Sequence, residues 1–316
     1  MRAFTGAAAL LAAALPAAVL AEPPANPSDP SPAAAAKEPA TERPKPSFFT
    51  LLWQLDDELR AVQAPVTFHR TNYIMPFSYN ARPNQDPWQA LVPPQDLEKA
   101  EATFQLSFKA KVWRDAFGTA SDLWVAYTQR SFWQVYDFDE SAPFRETDYE
   151  PEILLNLRTR FDVLGLRGRF VQIGLNHQSN GQTDPLSRSW NRVVANVGLE
   201  RGYFSLLVKT WYRLPEEAAE DDNPRIYDYL GYGEIWGYYC RSRHRAAIML
   251  RDNLDLGANR GAIQLEWSFP LFRPDWPTPT RVGGYVQWFY GYGESLLDYN
   301  HLVNRIGVGF AFAEWY

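Results

Sequence analysis

One cysteine, Cys240, stands in a chain of 316 residues, so no intramolecular disulfide can form and its thiol reads as an ordinary buried side chain. Long apolar runs are equally scarce. Beyond residue 21 no segment approaches the roughly 18 consecutive apolar residues of a transmembrane helix, and the mean hydropathy is -0.37. Surplus positive charge is missing too. The net charge of -6 gives no reason to expect a nucleic-acid partner. Neither a Gly-x-Ser-x-Gly elbow nor alternating helices occur, which leaves a soluble hydrolase of the α/β type without support.

Aromatics, by contrast, are abundant: 12 Trp, 17 Tyr and 19 Phe. In a chain of low hydropathy such an excess needs a place to sit, and girdles at two membrane interfaces provide one. Phe104, Leu106, Phe108, Ala110 and Val112 alternate with Gln105, Ser107, Lys109 and Lys111, a strand with one apolar and one polar face. The pattern recurs near residues 69 to 77, 102 to 113, 122 to 134, 150 to 160, 168 to 179, 190 to 200, 203 to 213, 226 to 240, 243 to 254, 260 to 270, 281 to 292 and 302 to 315. About twelve strands, an even number, with no helices to cover them, predict an all-β transmembrane antiparallel barrel. Lys109, Lys111, Arg130 and Trp124 are expected to point inward and fill its lumen.

Ahead of the barrel, Arg2, the apolar run from Gly6 to Ala21 and Val19-Leu20-Ala21 before Glu22 read as a secretory signal peptide, residues 1–21. Residues 22–47 are dominated by Pro, Ala, Glu and Lys and read as a disordered leader. The barrel domain is assigned to 48–316. Its last strand ends in an aromatic residue, Tyr316, in the manner of the signal read by the outer-membrane barrel assembly machinery.

The chemistry concentrates between Asn176 and Arg192. His177 and Ser179 share a strand face with Leu175, Ile173 and Val171, and Asn191 shares one with Val193, Ala195 and Val197. An antiparallel hairpin pairing His177 with Asn191 also pairs Leu175 with Val193, Ile173 with Ala195, and Val171 with Val197, so one polar pair caps an apolar stripe. A hydroxyl, an imidazole and an amide thus meet at the rim of an apolar face, the components of nucleophilic acyl transfer. Three polar residues bounding a long loop would give the same spacing. With periplasmic termini the fifth strand runs outward, which makes the loop from Asn180 to Ser189 extracellular.

Tyr127-Thr128-Gln129, Ser141 to Thr147, Tyr149-Glu150-Pro151, the His177 to Arg192 block, Asp221-Asp222-Asn223-Pro224 and Gly291 to Leu296 together resemble the outer-membrane phospholipase A family of Gram-negative bacteria. The resemblance implies a calcium-dependent enzyme, active as a homodimer, that hydrolyses A1 and A2 acyl esters of membrane phospholipids and also lysophospholipids. By it, Ser179 is the nucleophile, His177 the general base and Asn191 the group orienting the imidazole. Calcium ligands are implied at the Ser187 hydroxyl, the Gln182 carbonyl and, from the partner subunit, Ser141, with the Gly181 N–H as an oxyanion donor. Asp184 and Asp222 match a second calcium site; exposed loop acids would read alike. Gln129 is implied in the dimer interface, unless a one-residue slip turns it to the lumen. Gln182 departs from a common basic residue, and Ala142 stands where a second serine is usual. The competing reading is a barrel without enzymatic activity, a narrow porin or a structural protein on the same scaffold.

Overall fold

Alternation of apolar and polar residues dictates a sheet that must keep its two faces in different surroundings, and the chain meets that demand by closing the sheet on itself. The computed structural model describes residues 46–61, 66–89, 91, 94–139, 141–271 and 281–313. The expected signal peptide, most of the leader and the terminal Tyr316 lie outside the described residues. Twelve strands form the wall: β1 (Asn72–Asn80), β2 (Ala100–Trp113), β3 (Ser121–Trp133), β4 (Phe144–Arg158), β5 (Leu166–Ser179), β6 (Ser189–Arg201), β7 (Phe204–Arg213), β8 (Gly233–Arg241), β9 (His244–Asp252), β10 (Gly261–Pro270), β11 (Arg281–Gly291) and β12 (Val303–Ala313). Each pairs antiparallel with its sequence neighbours, and β12 returns to pair with β1. Closure leaves no free edge.

Strand number and most boundaries agree with the alternation. Two starts differ: β4 begins at Phe144, ahead of the expected 150, and in the segment expected as a strand from 226, Tyr227–Leu230 forms one helical turn, with Gly231, at φ 60, separating it from β8. Alternating apolar residues suit either element over so short a stretch, so periodicity alone misplaces that boundary.

Outward positions are apolar: Leu106, Phe108, Val125, Ile153, Ile173, Ile248, Leu265, Ile306, Val308 and Phe310 all lie exposed. Inward positions carry the charges, with Lys109 and Trp124 fully buried and Lys111 and Arg130 also turned inward. Gln129 faces outward on β3 with Val125 and Tyr127, so the slipped register is excluded. Loops at the end reached by β5 are long; among the described turns at the other end, Arg201 to Phe204 and Arg241 to His244 are tight.

The lumen is less completely filled than its inward residues suggest, keeping a cavity of about 700 Å³. Its short-turn end is occupied by a helix, α1 (Phe48–Trp53), whose Phe49 packs edge-on against Phe170 and whose Trp53 packs edge-on against Trp124. Glu200 on β6 receives the Phe49 N–H at 2.7 Å and the Ser47 hydroxyl at 2.6 Å, anchoring the helix start with a carboxylate. Apolar residues from 48 onward become core because they enter the barrel.

At the long-loop end, Arg305 is buried and held by Glu294 at 2.8 Å, Gln287 at 3.1 Å and Thr103 at 3.0 Å. Removing one member of a buried pair strands the other charge. Glu294→Ala should therefore destabilise the barrel by about 3–5 kcal/mol, read as a lower urea midpoint in detergent or vesicles. An unchanged midpoint would show that water reaches Arg305.

Candidate active site

β5 and β6 form the hairpin the apolar pattern requires. Val171 pairs with Val197, Ile173 with Ala195, Leu175 with Val193, and above them His177 with Asn191. His177 Nδ1 lies 2.8 Å from Asn191 Oδ1. Ser179 follows on the same outward face, paired with Ser189 on one side and Tyr149 on the other. Among the described residues no hydrogen bond joins the Ser179 hydroxyl to the imidazole; catalytic contacts commonly tighten only when substrate is bound.

The β4–β5 ladder is interrupted beside this group. Its pairs jump from Tyr149–Ser179 to Glu152–Asn176, leaving Glu150 and Pro151 unpaired opposite Gln178 and His177. Proline has no N–H for the ladder, so a break at Pro151 follows from its chemistry. Backbone pairing is thus missing next to His177 while the register on either side is unchanged.

Behind the site, on the lumen side, the wall is tied down. Arg192 lies 4.0 Å over the Trp190 ring and donates to Asn176, Gln178 and Glu150, while the Trp190 N–H donates to Gln178 at 2.9 Å. Such a supporting layer fixes the strands that carry His177 and Asn191. The luminal cavity is a separate space, reaching Gln178, Trp190 and Arg192 but none of His177, Ser179 or Asn191. Those three face outward, where the wall is apolar.

The loop from 180 to 188 is shaped by one buried side chain. Asn180 donates to the Leu186 carbonyl at 2.8 Å and accepts from the Arg188 N–H at 3.0 Å. Gly181 has φ 64, and a Cβ there would stand 3.2 Å from the Tyr149 ring. Glycine therefore meets both a left-handed backbone and a close aromatic neighbour.

The expected calcium ligands divide into two groups. Ser187 donates to Asp222 at 2.5 Å, and Gln182 is on the same loop, its N–H directed at Asn180 Oδ1. Asp184 is exposed on that loop. Ser141 is exposed in the β3–β4 loop at φ 59 and makes no described contact with Ser187 or Gln182 within the chain. Among the described residues no three His, Cys, Asp or Glu side chains cluster as a metal cage. What is present is an all-oxygen set in which hydroxyl and carbonyl outnumber carboxylate, a set that fits a hard cation held with modest affinity.

Two neighbours escaped the sequence reading. Tyr149 flanks Ser179 from β4, as register alone reveals. Glu216, in the β7–β8 loop, accepts from Asn191 Nδ2 at 3.0 Å; nothing in the spacing points to it.

A closed barrel with an apolar outer wall and a charged lumen defines an outer-membrane protein, and a hydroxyl, an imidazole and an amide lie together on the outside of this one. The family model for phospholipase A1 matches residues 50–312. The putative phospholipase A1 of Neisseria meningitidis serogroup B is 41% identical over 274 residues, covering 83% of this chain and 69% of that protein. The outer-membrane phospholipase dimer of Salmonella typhi, solved with bound calcium, superposes with a TM-score of 0.74 at 32% identity, covering 84% of this chain and 98% of that one. An active-site mutant of the Escherichia coli outer-membrane phospholipase A, with alanine in place of an asparagine, gives a TM-score of 0.74 at 33% identity, covering 85% and 98%. The chain belongs to the phospholipase A1 family, carboxylic ester hydrolases of the outer membrane.

Proposed function

We propose that this barrel hydrolyses acyl esters of phospholipids at the outer leaflet through Ser179, His177 and Asn191, in a calcium-dependent reaction of the dimer. The observation that carries the reading is the 2.8 Å contact between His177 Nδ1 and Asn191 Oδ1 with Ser179 next on the same face. The amide oxygen accepts from Nδ1–H, which leaves Nε2 free as the base. As Ser179 Oγ attacks the acyl carbonyl, Nε2 takes its proton and then delivers it to the departing lysophospholipid oxygen. Water, deprotonated by the same nitrogen, releases the fatty acid from the acyl-serine. The Gly181 N–H donates to the developing oxyanion. Ser187, Gln182 and the partner's Ser141 would hold calcium, with Asp184 and Asp222 at a second position; a bound ion supplies Lewis-acid polarisation of the acyl carbonyl.

A neutral amide suits this location, since an unpaired carboxylate on the lipid-facing side of the strand would be costly to desolvate. Attack at both acyl positions, and on lysophospholipids, belongs to the same proposal, because the group sits on the outer face of the barrel and outside the luminal cavity. Gln129, facing outward beside Tyr149, is proposed to lie in the dimer interface, where its amide escapes lipid. Export by residues 1–21 and insertion by the outer-membrane assembly machinery complete the reading.

Asn191→Ala should slow hydrolysis less than His177→Ala, because it removes orientation and leaves the base. Since only neutral imidazole accepts a proton, the wild-type rate should also fall on the acid side of its pH profile. Hydrolysis of a fluorogenic phospholipid by refolded protein checks both. Equal loss in the two folded variants would remove the orienting role from Asn191.

A further inference from the structure

We infer that Glu216 is a positioning residue for this reaction, extending the Ser179–His177–Asn191 relay by a fourth member that fixes which way the Asn191 amide faces. The inference rests on the triad reading above. An asparagine amide can rotate by half a turn with little steric change, and only one of its two orientations presents oxygen to the imidazole. Turned the wrong way, the NH₂ would meet His177 Nδ1 as a donor and favour the tautomer whose proton sits on Nε2. That tautomer cannot take a proton from Ser179.

The structure supplies the missing constraint. Asn191 Nδ2 is 3.0 Å from Glu216 Oε1. A carboxylate only accepts, so it selects the amide orientation that points NH₂ toward itself and oxygen toward His177. Such a charge-assisted bond is stronger than one between neutral groups. It also draws positive charge toward the NH₂ end and leaves Oδ1 a better acceptor for the imidazole proton.

Glu216 is itself held. Arg213, at the end of β7, contacts Glu216 Oε2 at 3.3 Å and donates to Asp221 at 2.5 Å. The Leu214 N–H donates to the Asn191 carbonyl at 2.8 Å, so the loop bearing Glu216 is stitched to the residue it orients. Glu216 and Arg213 keep only 17% and 11% of their side-chain surface exposed, which shields the contact from competing water. The contacts run Arg213, Glu216, Asn191, His177, from the β7–β8 loop to the base that stands beside Ser179 on the same face.

A double-mutant cycle on the refolded, calcium-loaded protein tests this, with kcat and KM for a fluorogenic phospholipid and the rate of Ser179 modification by an alkylsulfonyl fluoride as readouts. Glu216→Ala should lower kcat and the modification rate by about tenfold or more, as expected for a hydrogen bond to a charged group, with KM changed less than about twofold if substrate binding is untouched. Placed on Asn191→Ala, the same change should cost nothing further, because its route is already cut. Should Glu216→Ala fail to fold, Glu216→Gln keeps the length and can pair in either orientation, and should give a smaller loss with the same non-additivity. Equal losses in both backgrounds would show that Glu216 acts apart from Asn191 and overturn the inference. A harmless Glu216→Ala beside a damaging Asn191→Ala would overturn it while leaving the triad standing. A fully active Asn191→Ala would instead bring down the triad reading on which it rests.

Discussion

Replacing Ser179 by alanine should reduce phospholipid hydrolysis by roughly 10⁴-fold or more while leaving the barrel intact. The size follows from the role: without the hydroxyl no acyl-serine forms, and removing a triad nucleophile elsewhere costs on this scale or more. The barrel should survive because Ser179 is at the end of β5, outward-facing and partly exposed, and makes no described side-chain hydrogen bond whose loss would weaken the wall. The test pairs the fluorogenic assay with the heat-dependent gel shift of a folded barrel. Near wild-type turnover in a correctly shifted band would remove Ser179 from the mechanism.

The second large effect concerns calcium and the dimer together. Chelation should leave a folded, mostly monomeric and inactive protein, and calcium should restore dimer and activity in parallel. Ser187 and Gln182 lie on the β5–β6 loop, whereas Ser141 lies on the β3–β4 loop and does not join them within one chain. An oxyanion site that needs all three is complete only between two subunits. Calcium shared across the interface then stabilises the dimer by the free energy with which the dimer tightens calcium. Gln129 and Tyr149 occupy paired positions on the outer wall between these loops, where a second barrel would cover the amide. Sedimentation in detergent, run beside the assay with and without chelator, measures both halves. A fully active monomer, or hydrolysis indifferent to calcium, would sink the shared site.

Much of this protein is written in its alternation. Over most of its length a barrel strand meets lipid on one face and the lumen on the other, so its residues are sorted by those two surroundings, and period two stays readable in strands such as β2, β5 and β6. The same arithmetic sets the hairpin register: a one-residue slip of β5 against β6 would turn Ile173 and Leu175 into the lumen and Gln172 and Asn176 toward lipid. Pairing of His177 with Asn191 therefore follows from the apolar residues beneath them. The resemblance to a known family, carried by Gly291 to Leu296 and the other separated motifs, supplied the roles that spacing cannot.

What alternation does not reach is whatever enters the wall from outside it. Residues 48–53 carry no strand pattern, and only the fold shows them inside the lumen with Phe49 on Phe170 and Glu200 at the helix start. Glu216 is an ordinary loop acid in sequence; it becomes the neighbour of Asn191 because β7 ends beside β6 and its loop folds back over the hairpin. Tyr149 and the ladder gap at Pro151 depend on how β4 lies against β5. Strand faces are local consequences of the chain's own periodicity, so the sequence by itself determined the barrel, the side of the wall that carries Ser179 and the pairing of His177 with Asn191. Contacts made by loops and by α1 join residues far apart in the chain whose spacing carries no period, and those only the tertiary structure decided.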